Sequence, residues 1–345
     1  MKNRKPILYL LGLAALALLI AYFHNRVHFN FRECAHQIRQ ASLKHIALGV
    51  ALIYITYYLR AIRWSVFLSP TKKISPNKLV GSQFIGFTAV ALFGRLADLT
   101  RPFILARRTG LPLSSQVAVY TIERMFDLGA AAIIFSTALL FLPKDSALPF
   151  HQTFVHVGQL SLAGTLFLAL FAIAVRISGS VIASFARATI GRLSPPLGES
   201  FHTKIIDFRA GLNALSSFSD FLIALAISLT MWLFIALAYV QTAHAFTHTP
   251  ELASLSFPAT MLLLATSIGA SLFQAPIIGW FTTIAATATA MHGFYNAPIE
   301  AATACAAVLL FVTFLCIIPT GLIFAKLEHV SLKPPSDAAS DPTLP

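Results

Sequence analysis

Two short stretches of the sequence place ionisable residues beside or within long apolar runs. In the first, Gly94–Pro102, the charged residues Arg95, Asp98 and Arg101 are spaced three residues apart. On a helix this spacing puts all three on one face, so Asp98 can pair with either arginine and leave the other free. Because a free guanidinium binds phosphate bidentately, the stretch is a candidate anion-binding segment.

The second stretch lies about two turns into an apolar run and contains Glu123, Arg124 and Asp127. Glu123 and Asp127 are i,i+4 neighbours and repel each other unless a cation lies nearby, while Arg124 reaches Asp127 at i+3. The two acids exceed the one arginine by one negative charge, which a free arginine of the first stretch can balance. We therefore expect the two stretches to meet.

Ionisable groups at membrane depth cost roughly 2.5–3.5 kcal/mol each on insertion scales, so function is the default hypothesis for them. Two interpretations stay open at this point. One is a structural ion-pair network that fixes helix register, and the other is a polar cavity that receives a lipid headgroup. On the second interpretation the substrate-binding residues are Arg95, Asp98, Arg101, Glu123, Arg124 and Asp127.

A third basic segment ends another apolar run and contains Arg60, Arg63 and Trp64. A tryptophan beside two arginines suits the headgroup level, where the indole ring is in apolar surroundings and its N–H is hydrated. Long basic side chains there extend to the interface. We expect these three residues to lie at the membrane interface and to contact headgroups.

The composition predicts that these charges belong to a membrane protein. Of 345 residues, 57% are hydrophobic and 11% are charged, whereas soluble domains carry roughly a quarter charged residues. Long apolar runs in lipid must be helical, because every backbone N–H and C=O needs an internal partner. The net charge of +12 does not indicate nucleic-acid binding, since the basic residues flank the apolar runs. The sequence predicts an all-α, polytopic membrane protein with about eight transmembrane helices.

Nothing in the sequence indicates a cofactor or a metal. The three cysteines have no metal-ligand spacing, and nucleotide-binding, zinc-protease and nucleophile-elbow motifs are absent. We therefore expect no cofactor, no metal site and no enzymatic activity.

The apolar run at residues 79–93 is short and has basic clusters on both sides. A full crossing would put one cluster on the outer face. A re-entrant hairpin, bent at glycines 81 and 86, would keep both clusters on the cytoplasmic side. We expect the hairpin.

A second interruption, at residues 273–291, lies in the other half of the chain. Paired broken segments in opposite halves point to a transporter site between inverted repeats. The gate residues on this hypothesis are Gly86, Pro276 and Gly279.

Charge bias predicts the overall organisation. Residues 1–330 form a single integral membrane domain, in which residues 178–219 are a cytoplasmic amphipathic connector. Residues 331–345 are a disordered tail. Both termini are expected in the cytoplasm, with the loops at 143–153 and 244–256 outside.

Three stretches give the chain a resemblance to a known family: Leu59–Trp64, Phe93–Pro102 and Glu123–Asp127. They resemble segments of the flippase-like membrane family typified by the transmembrane region of lysylphosphatidylglycerol synthase, the multiple peptide resistance factor. The sequence departs from the family pattern at Phe93, Ala97 and Asp98, where the family has proline, glycine and glutamate. The family's later proline-glycine-rich segment is reduced here to residues 276–279.

The resemblance implies lipid translocation and not lysyl transfer, since no charged soluble domain follows Lys326 in the sequence. We therefore expect a lipid flippase or lipid transporter of the bacterial inner membrane, with membrane lipids as its partners. Two alternatives are a non-catalytic membrane partner of a lipid-synthesis complex and a membrane-embedded transferase that uses Asp98 or Glu123 as general base.

Overall fold

A computed structural model describes eight segments of the chain: residues 29–94, 97–98, 100–111, 113–141, 151–192, 194–212, 217–271 and 278–330. Within these segments the protein is helical and has no strands. The all-α fold predicted from composition is therefore confirmed. The tail expected at residues 331–345 lies outside the described residues.

The described part of the first half starts with an amphipathic helix, followed by a long helix, two short helices and another long helix. In chain order the five helices are α1 (Phe31–Gln40), α2 (Leu43–Leu68), α3 (Pro76–Phe93), α4 (Thr100–Thr109) and α5 (Leu113–Leu140).

The middle of the chain forms α6 (His151–Ile190) and α7 (Pro195–Leu212), which pack against each other. Ser178 interrupts α6 with non-helical backbone angles, φ −124° and ψ 27°. This kink coincides with the start of the connector expected at residues 178–219. The cytoplasmic location of the connector stays a prediction.

The second half repeats the pattern of long helices around short ones. In chain order it contains α8 (Phe218–His244), α9 (Pro250–Ala253), α10 (Phe257–Ser271), α11 (Ile278–Tyr295), α12 (Ile299–Leu310), a π-helical segment (Phe311–Leu315) and α13 (Ile318–Leu327).

Three helical segments of the described chain are long and apolar enough to cross a membrane: Leu43–Leu68, Phe218–His244 and Ile299–Leu327. Their 26, 27 and 29 residues correspond to about 39–44 Å of helix, more than the roughly 30 Å of a hydrocarbon core. α5 is also long, at 28 residues, but contains three charged side chains. The protein is thus a helical membrane protein.

The two central helices, α2 and α8, lie side by side and antiparallel. His45 of α2 is 2.7 Å from Gln241 near the end of α8, and Arg63 near the end of α2 is 2.7 Å from Ser228 in the first half of α8. The two halves of the protein are therefore arranged around an antiparallel helix pair.

The short helices form two antiparallel hairpins. The ammonium of Lys72, just before α3, donates to the carbonyl of Thr109 at the end of α4 across 2.6 Å. In the second hairpin, the Tyr295 hydroxyl at the end of α11 donates to the carbonyl of Ala259 at the start of α10 across 2.8 Å. Each of these four helices spans at most about 27 Å, so none crosses a 30 Å core upright.

The predicted location of the first bend is wrong, and the cytoplasmic location of the flanking basic residues stays a prediction. α3 runs unbroken through Gly81 and Gly86, and the chain leaves the helix at Gly94, whose φ of 80° favours glycine. The hairpin is therefore made of α3 and α4 together. The basic residues before α3 and those at the end of α4 consequently lie at the same end of the protein.

The same order recurs in α2–α5 and in α8–α13: a long helix, a hairpin of short helices, then another long helical segment, with the four-residue α9 added in the second set. Because α2 and α8 are antiparallel, the halves have opposite orientations. Contacts between the halves are reciprocal, since α5 packs on α10 while α13 packs on α3. This is the arrangement expected of an inverted repeat.

Candidate functional site

Seven charged side chains from α2, α4, α5 and the segment before α4 meet inside the protein. We call them the ion cluster: Arg60, Arg63, Asp98, Arg101, Glu123, Arg124 and Asp127.

Glu123 is the centre of the ion cluster and is fully buried. Its carboxylate accepts hydrogen bonds from the guanidinium of Arg101 at 3.0 Å and from that of Arg63 at 3.1 Å. The indole N–H of Trp64 donates to its second oxygen at 2.9 Å. Burying a carboxylate without such partners would cost several kcal/mol, so these hydrogen bonds compensate the burial of Glu123.

Asp127, one turn along α5, is paired with three arginines. Arg63 Nη1 lies 2.7 Å from its carboxylate and Arg60 Nη1 lies 3.2 Å from it. Arg124 reaches it at 3.1 Å, in the i,i+3 pairing expected from the sequence. The two arginines of α2 thus relieve the repulsion between the two acids of α5.

Asp98 connects the first charged stretch with the second. Its carboxylate accepts a 2.5 Å hydrogen bond from the Tyr120 hydroxyl and lies 3.5 Å from Arg101. Arg124 approaches it only to 3.9 Å. The two stretches meet as the charge count predicted, while Arg95 lies outside the described residues.

Aromatic and polar neighbours complete the surroundings of the arginines. The Phe87 ring lies between two guanidiniums, 4.4 Å from that of Arg101 and 4.8 Å from that of Arg60. Gln83 accepts from Arg101 at 2.8 Å, and Ser228 of α8 accepts from Arg63 at 2.7 Å. Besides the helices that carry its members, α3 and α8 therefore also contact the ion cluster.

Gly86 is required for the approach of Arg101. A Cβ atom at position 86 would collide with Cγ of Arg101, and Cδ would also be only 3.0 Å away. The glycine thus makes room for a guanidinium beside α3 and does not bend the helix. A gating role for Gly86 stays a prediction.

The second predicted gate segment is only partly described. Pro276 lies outside the described residues. Gly279 lies in the first turn of α11, where its carbonyl accepts hydrogen bonds from Thr282 and Thr283 at 3.0 and 2.8 Å.

The charges of the ion cluster do not cancel among the described residues. Four arginines face three carboxylates, which leaves one excess positive charge. Six of the seven side chains are at most 11% exposed, whereas the Arg124 side chain is 30% exposed. The Nε atoms of Arg63, Arg101 and Arg124 are buried without a hydrogen-bond partner. The cluster therefore retains capacity for a further hydrogen-bond acceptor.

Arg60, Arg63 and Trp64 were expected to contact headgroups at the membrane interface, but their side chains lie inside the protein. Their depth relative to the membrane interface stays a prediction. Arg60 is 7% exposed, and Arg63 and Trp64 are fully buried against the carboxylates of α5. They continue the buried face of α2, which also includes Ile53 and Tyr57. Arg60 follows Tyr57 by three residues, and Arg63 and Trp64 follow Arg60 by three and four; this helical spacing is the sequence signal that could have placed them inside.

Four partners of the cluster were not singled out from the sequence: Gln83, Phe87, Tyr120 and Ser228. Their sequence separations from the arginines and acids they contact range up to 165 residues. Local spacing holds no signal for contacts of this kind.

No group of three His, Cys, Asp or Glu side chains in the described part of the chain is placed to hold a metal ion. The charge-bearing groups of the site are guanidiniums, which can bind anions, and carboxylates, which pair with them.

Fold and site together define a polytopic helical membrane protein built around a buried arginine–carboxylate cluster. The chain belongs to the family described as the lysylphosphatidylglycerol synthase TM region, whose model matches residues 9–322. The resemblance found in the sequence is therefore confirmed, and the chain is a membrane protein related to lipid metabolism. No curated protein and no solved structure matches it significantly.

Proposed function

We propose that this protein is a lipid flippase or lipid transporter of the bacterial inner membrane, with both termini in the cytoplasm. In this proposal a polar or anionic headgroup enters the ion cluster while the acyl chains stay in the bilayer. The protein itself makes and breaks no covalent bond.

The observation that carries the proposal is the excess guanidinium charge inside the ion cluster. A buried positive charge without a counter-ion is costly, and a guanidinium is the side chain best suited to bind a phosphate or carboxylate. An anionic headgroup would supply the missing charge. A purely structural network would be expected to balance its own charges.

Arg124 is the side chain best placed to receive the headgroup. It is the most exposed member of the cluster, and its contact to Asp98 is long, at 3.9 Å. Its Nε has no hydrogen-bond partner. A headgroup oxygen can therefore bind Arg124 first, while Glu123 and Asp127 keep the guanidinium oriented.

The two hairpins supply the element that would move. α4 carries Arg101 into the cluster, so a displacement of the α3–α4 hairpin would separate Arg101 from Glu123 and open the site. The opposite hairpin, α10–α11, occupies the equivalent place in the second half. In transporters built from inverted repeats, such paired broken segments line the substrate site.

The test is lipid exchange between leaflets in proteoliposomes. We expect the full-length protein to move fluorescent phosphatidylglycerol, measured by dithionite quenching, faster than protein-free vesicles. Arg124→Gln should slow lipid exchange at least about tenfold, because a hydrogen bond from a charged group contributes about 1.5–3 kcal/mol to headgroup binding. Arg124→Lys keeps the charge and should retain part of the rate.

The matched control is Lys204→Gln, which removes a cation from the exposed surface of α7 and should not change the rate. Size-exclusion chromatography and thermal unfolding would verify that each variant is folded. Transport by folded Arg124→Gln at the wild-type rate would contradict the site. Absence of exchange for every lipid tested would favour a non-catalytic partner of a lipid-synthesis complex.

A further inference from the structure

We propose that the protein has a second anion site, separate from the ion cluster, that binds the phosphate group of an anionic molecule. The site, which we call the basic cavity, lies where the end of α2, the start of α3 and the end of α4 meet. Its volume is about 450 Å³, within the roughly 300–1,000 Å³ range of small-molecule sites. Its polar lining comprises Lys72, Lys73, Ser75, Lys78, Arg108 and Thr109.

The charge of the basic cavity is strongly positive. Three lysines and Arg108 line it, and no acid is among the lining residues. Glu328 forms an ion pair with Arg108 from outside the lining. Four cations and this one carboxylate leave a net charge of +3, which requires anions from solution or from the membrane surface.

The start of α3 adds to the positive potential. Ser75 is the N-cap of α3 but makes no side-chain cap hydrogen bond, and the first turn contains no acid. The N-terminal end of a helix dipole carries partial positive charge and attracts anions. Lys78 in this turn is therefore electrostatically unfavourable for the empty protein. A bound anion would be attracted by both the ammonium and the helix end and would offset that repulsion.

The location of the basic cavity points to a phosphate at the membrane surface. The cavity lies at the open end of the α3–α4 hairpin, beyond the apolar part of α3. Basic pockets at such helix ends bind the headgroups of anionic lipids through lysine and arginine. Since inorganic phosphate has the same chemistry, the experiment has to separate the two sources.

Binding in the basic cavity goes beyond the proposed translocation and does not depend on it. Lys72 already joins the two ends of the hairpin through the Thr109 carbonyl. A phosphate held among Lys73, Lys78 and Arg108 would connect the same two ends. The ligand would thus fix the open end of the hairpin whether or not lipid moves through the ion cluster.

The test measures binding of dioctanoyl phosphatidylglycerol to the full-length protein in neutral detergent by titration calorimetry. Inorganic phosphate and a dioctanoyl galactolipid, which lacks phosphate, are titrated in parallel. We expect phosphatidylglycerol to bind and the galactolipid not to bind. Lys73→Gln/Lys78→Gln should weaken binding about 10- to 30-fold, because each lysine adds electrostatic attraction to the anionic headgroup. Glu328→Gln should strengthen it, because it removes the neighbouring negative charge.

The matched control is Lys44→Gln/Lys204→Gln, which removes the same charge from exposed positions outside the cavity and should leave affinity unchanged. Lys73→Arg/Lys78→Arg should retain binding. Without ligand, the glutamine variant should unfold at the wild-type temperature or above it, since Lys78 opposes the helix dipole.

Four outcomes decide the proposal. Loss of phosphatidylglycerol affinity in the cavity variant alone supports it. If inorganic phosphate binds as tightly as the lipid, the site is assigned to soluble phosphate. Equal affinity of the cavity variant and the wild type would overturn it, as would equal losses in the cavity and control variants. Transport assays on the same proteins separate this result from the proposed function.

Discussion

At the residue scale, the ion cluster depends on the shape of the guanidinium. Arg63 donates to Asp127 and Ser228 through Nη1 and to Glu123 through Nη2. A lysine ammonium has no planar fork and cannot reach three such partners in these directions. The arginines of α2 are therefore not interchangeable with lysines.

Arg63→Met should destabilise the protein severely. The substitution leaves Glu123 and Asp127 buried with fewer cations, and breaking a buried ion pair in this way costs about 3–5 kcal/mol. Thermal unfolding of the purified protein in detergent would measure the loss. The control is Lys44→Met, on the exposed surface of the same helix, which should change stability by less than about 0.5 kcal/mol. Unchanged unfolding of Arg63→Met would show that the cluster does not hold the fold.

The sequence predicted the members of the two charged stretches better than their surroundings. Asp98, Arg101, Glu123 and Asp127 could be singled out because charge inside apolar runs is costly wherever the chain folds. Arg60 could not be placed by the same argument. A basic residue near the end of an apolar run fits the interface as well as the interior, and the carboxylates that pair with it are more than 60 residues away.

At the element scale, the α3–α4 hairpin depends on close packing between a glycine and an arginine. α3 presents Gly86 to the side chain of Arg101 on α4, and the Arg101 guanidinium continues to Glu123 on α5. The hairpin and the ion cluster are therefore coupled through one side chain.

Gly86→Ala should displace Arg101 and weaken this coupling. We expect a loss of about 1–3 kcal/mol in unfolding free energy, the usual cost of overpacking, together with slower lipid exchange. Gly129→Ala is the matched control, because no atom lies within 4 Å of a Cβ built there on α5. That variant should be neutral or gain up to about 1 kcal/mol from helix propensity. Equal stability of the two variants would contradict the packing role of Gly86.

Helices were easier to predict than the turns that join them. Continuous apolar runs must form helices in lipid, whatever their neighbours. Glycines 81 and 86 suggested a bend because glycine permits one, but both accept close side chains, from Glu328 and Phe324 at Gly81 and from Arg101 at Gly86. Whether a glycine bends a helix or accommodates a neighbour depends on packing that local sequence does not specify.

At the scale of the whole molecule, the two halves share their order of elements but not their charge. The first half carries the whole ion cluster on α2, α4 and α5. In the second half the only charged residue between Asp220 and Glu300 is Glu251. The inverted arrangement thus places a charged hairpin region opposite an apolar one.

The membrane face on which α2 begins and the face on which the α3–α4 hairpin begins and ends can be determined by labelling single cysteines. The label is a membrane-impermeant maleimide, applied after the three native cysteines are replaced by alanine. Lys73→Cys and Arg107→Cys should react from the same face, because the α3–α4 hairpin returns to its starting end. Lys44→Cys should react from the opposite face, since the 26 residues of α2 rise about 39 Å. Labelling of residues 73 and 107 from opposite faces would exclude the re-entrant hairpin.

The ion cluster also affects how the protein is made. Arg60 and Arg63 leave the ribosome 60 to 67 residues before the acids that neutralise them. At about 5–20 residues per second, α2 waits roughly 3–13 s with two unpaired charges. During that interval its arginines must stay in water, in the insertion machinery or against lipid phosphates. We therefore expect Arg60 and Arg63 to reach their buried positions only when α5 arrives, so that the packing of α2 is completed late.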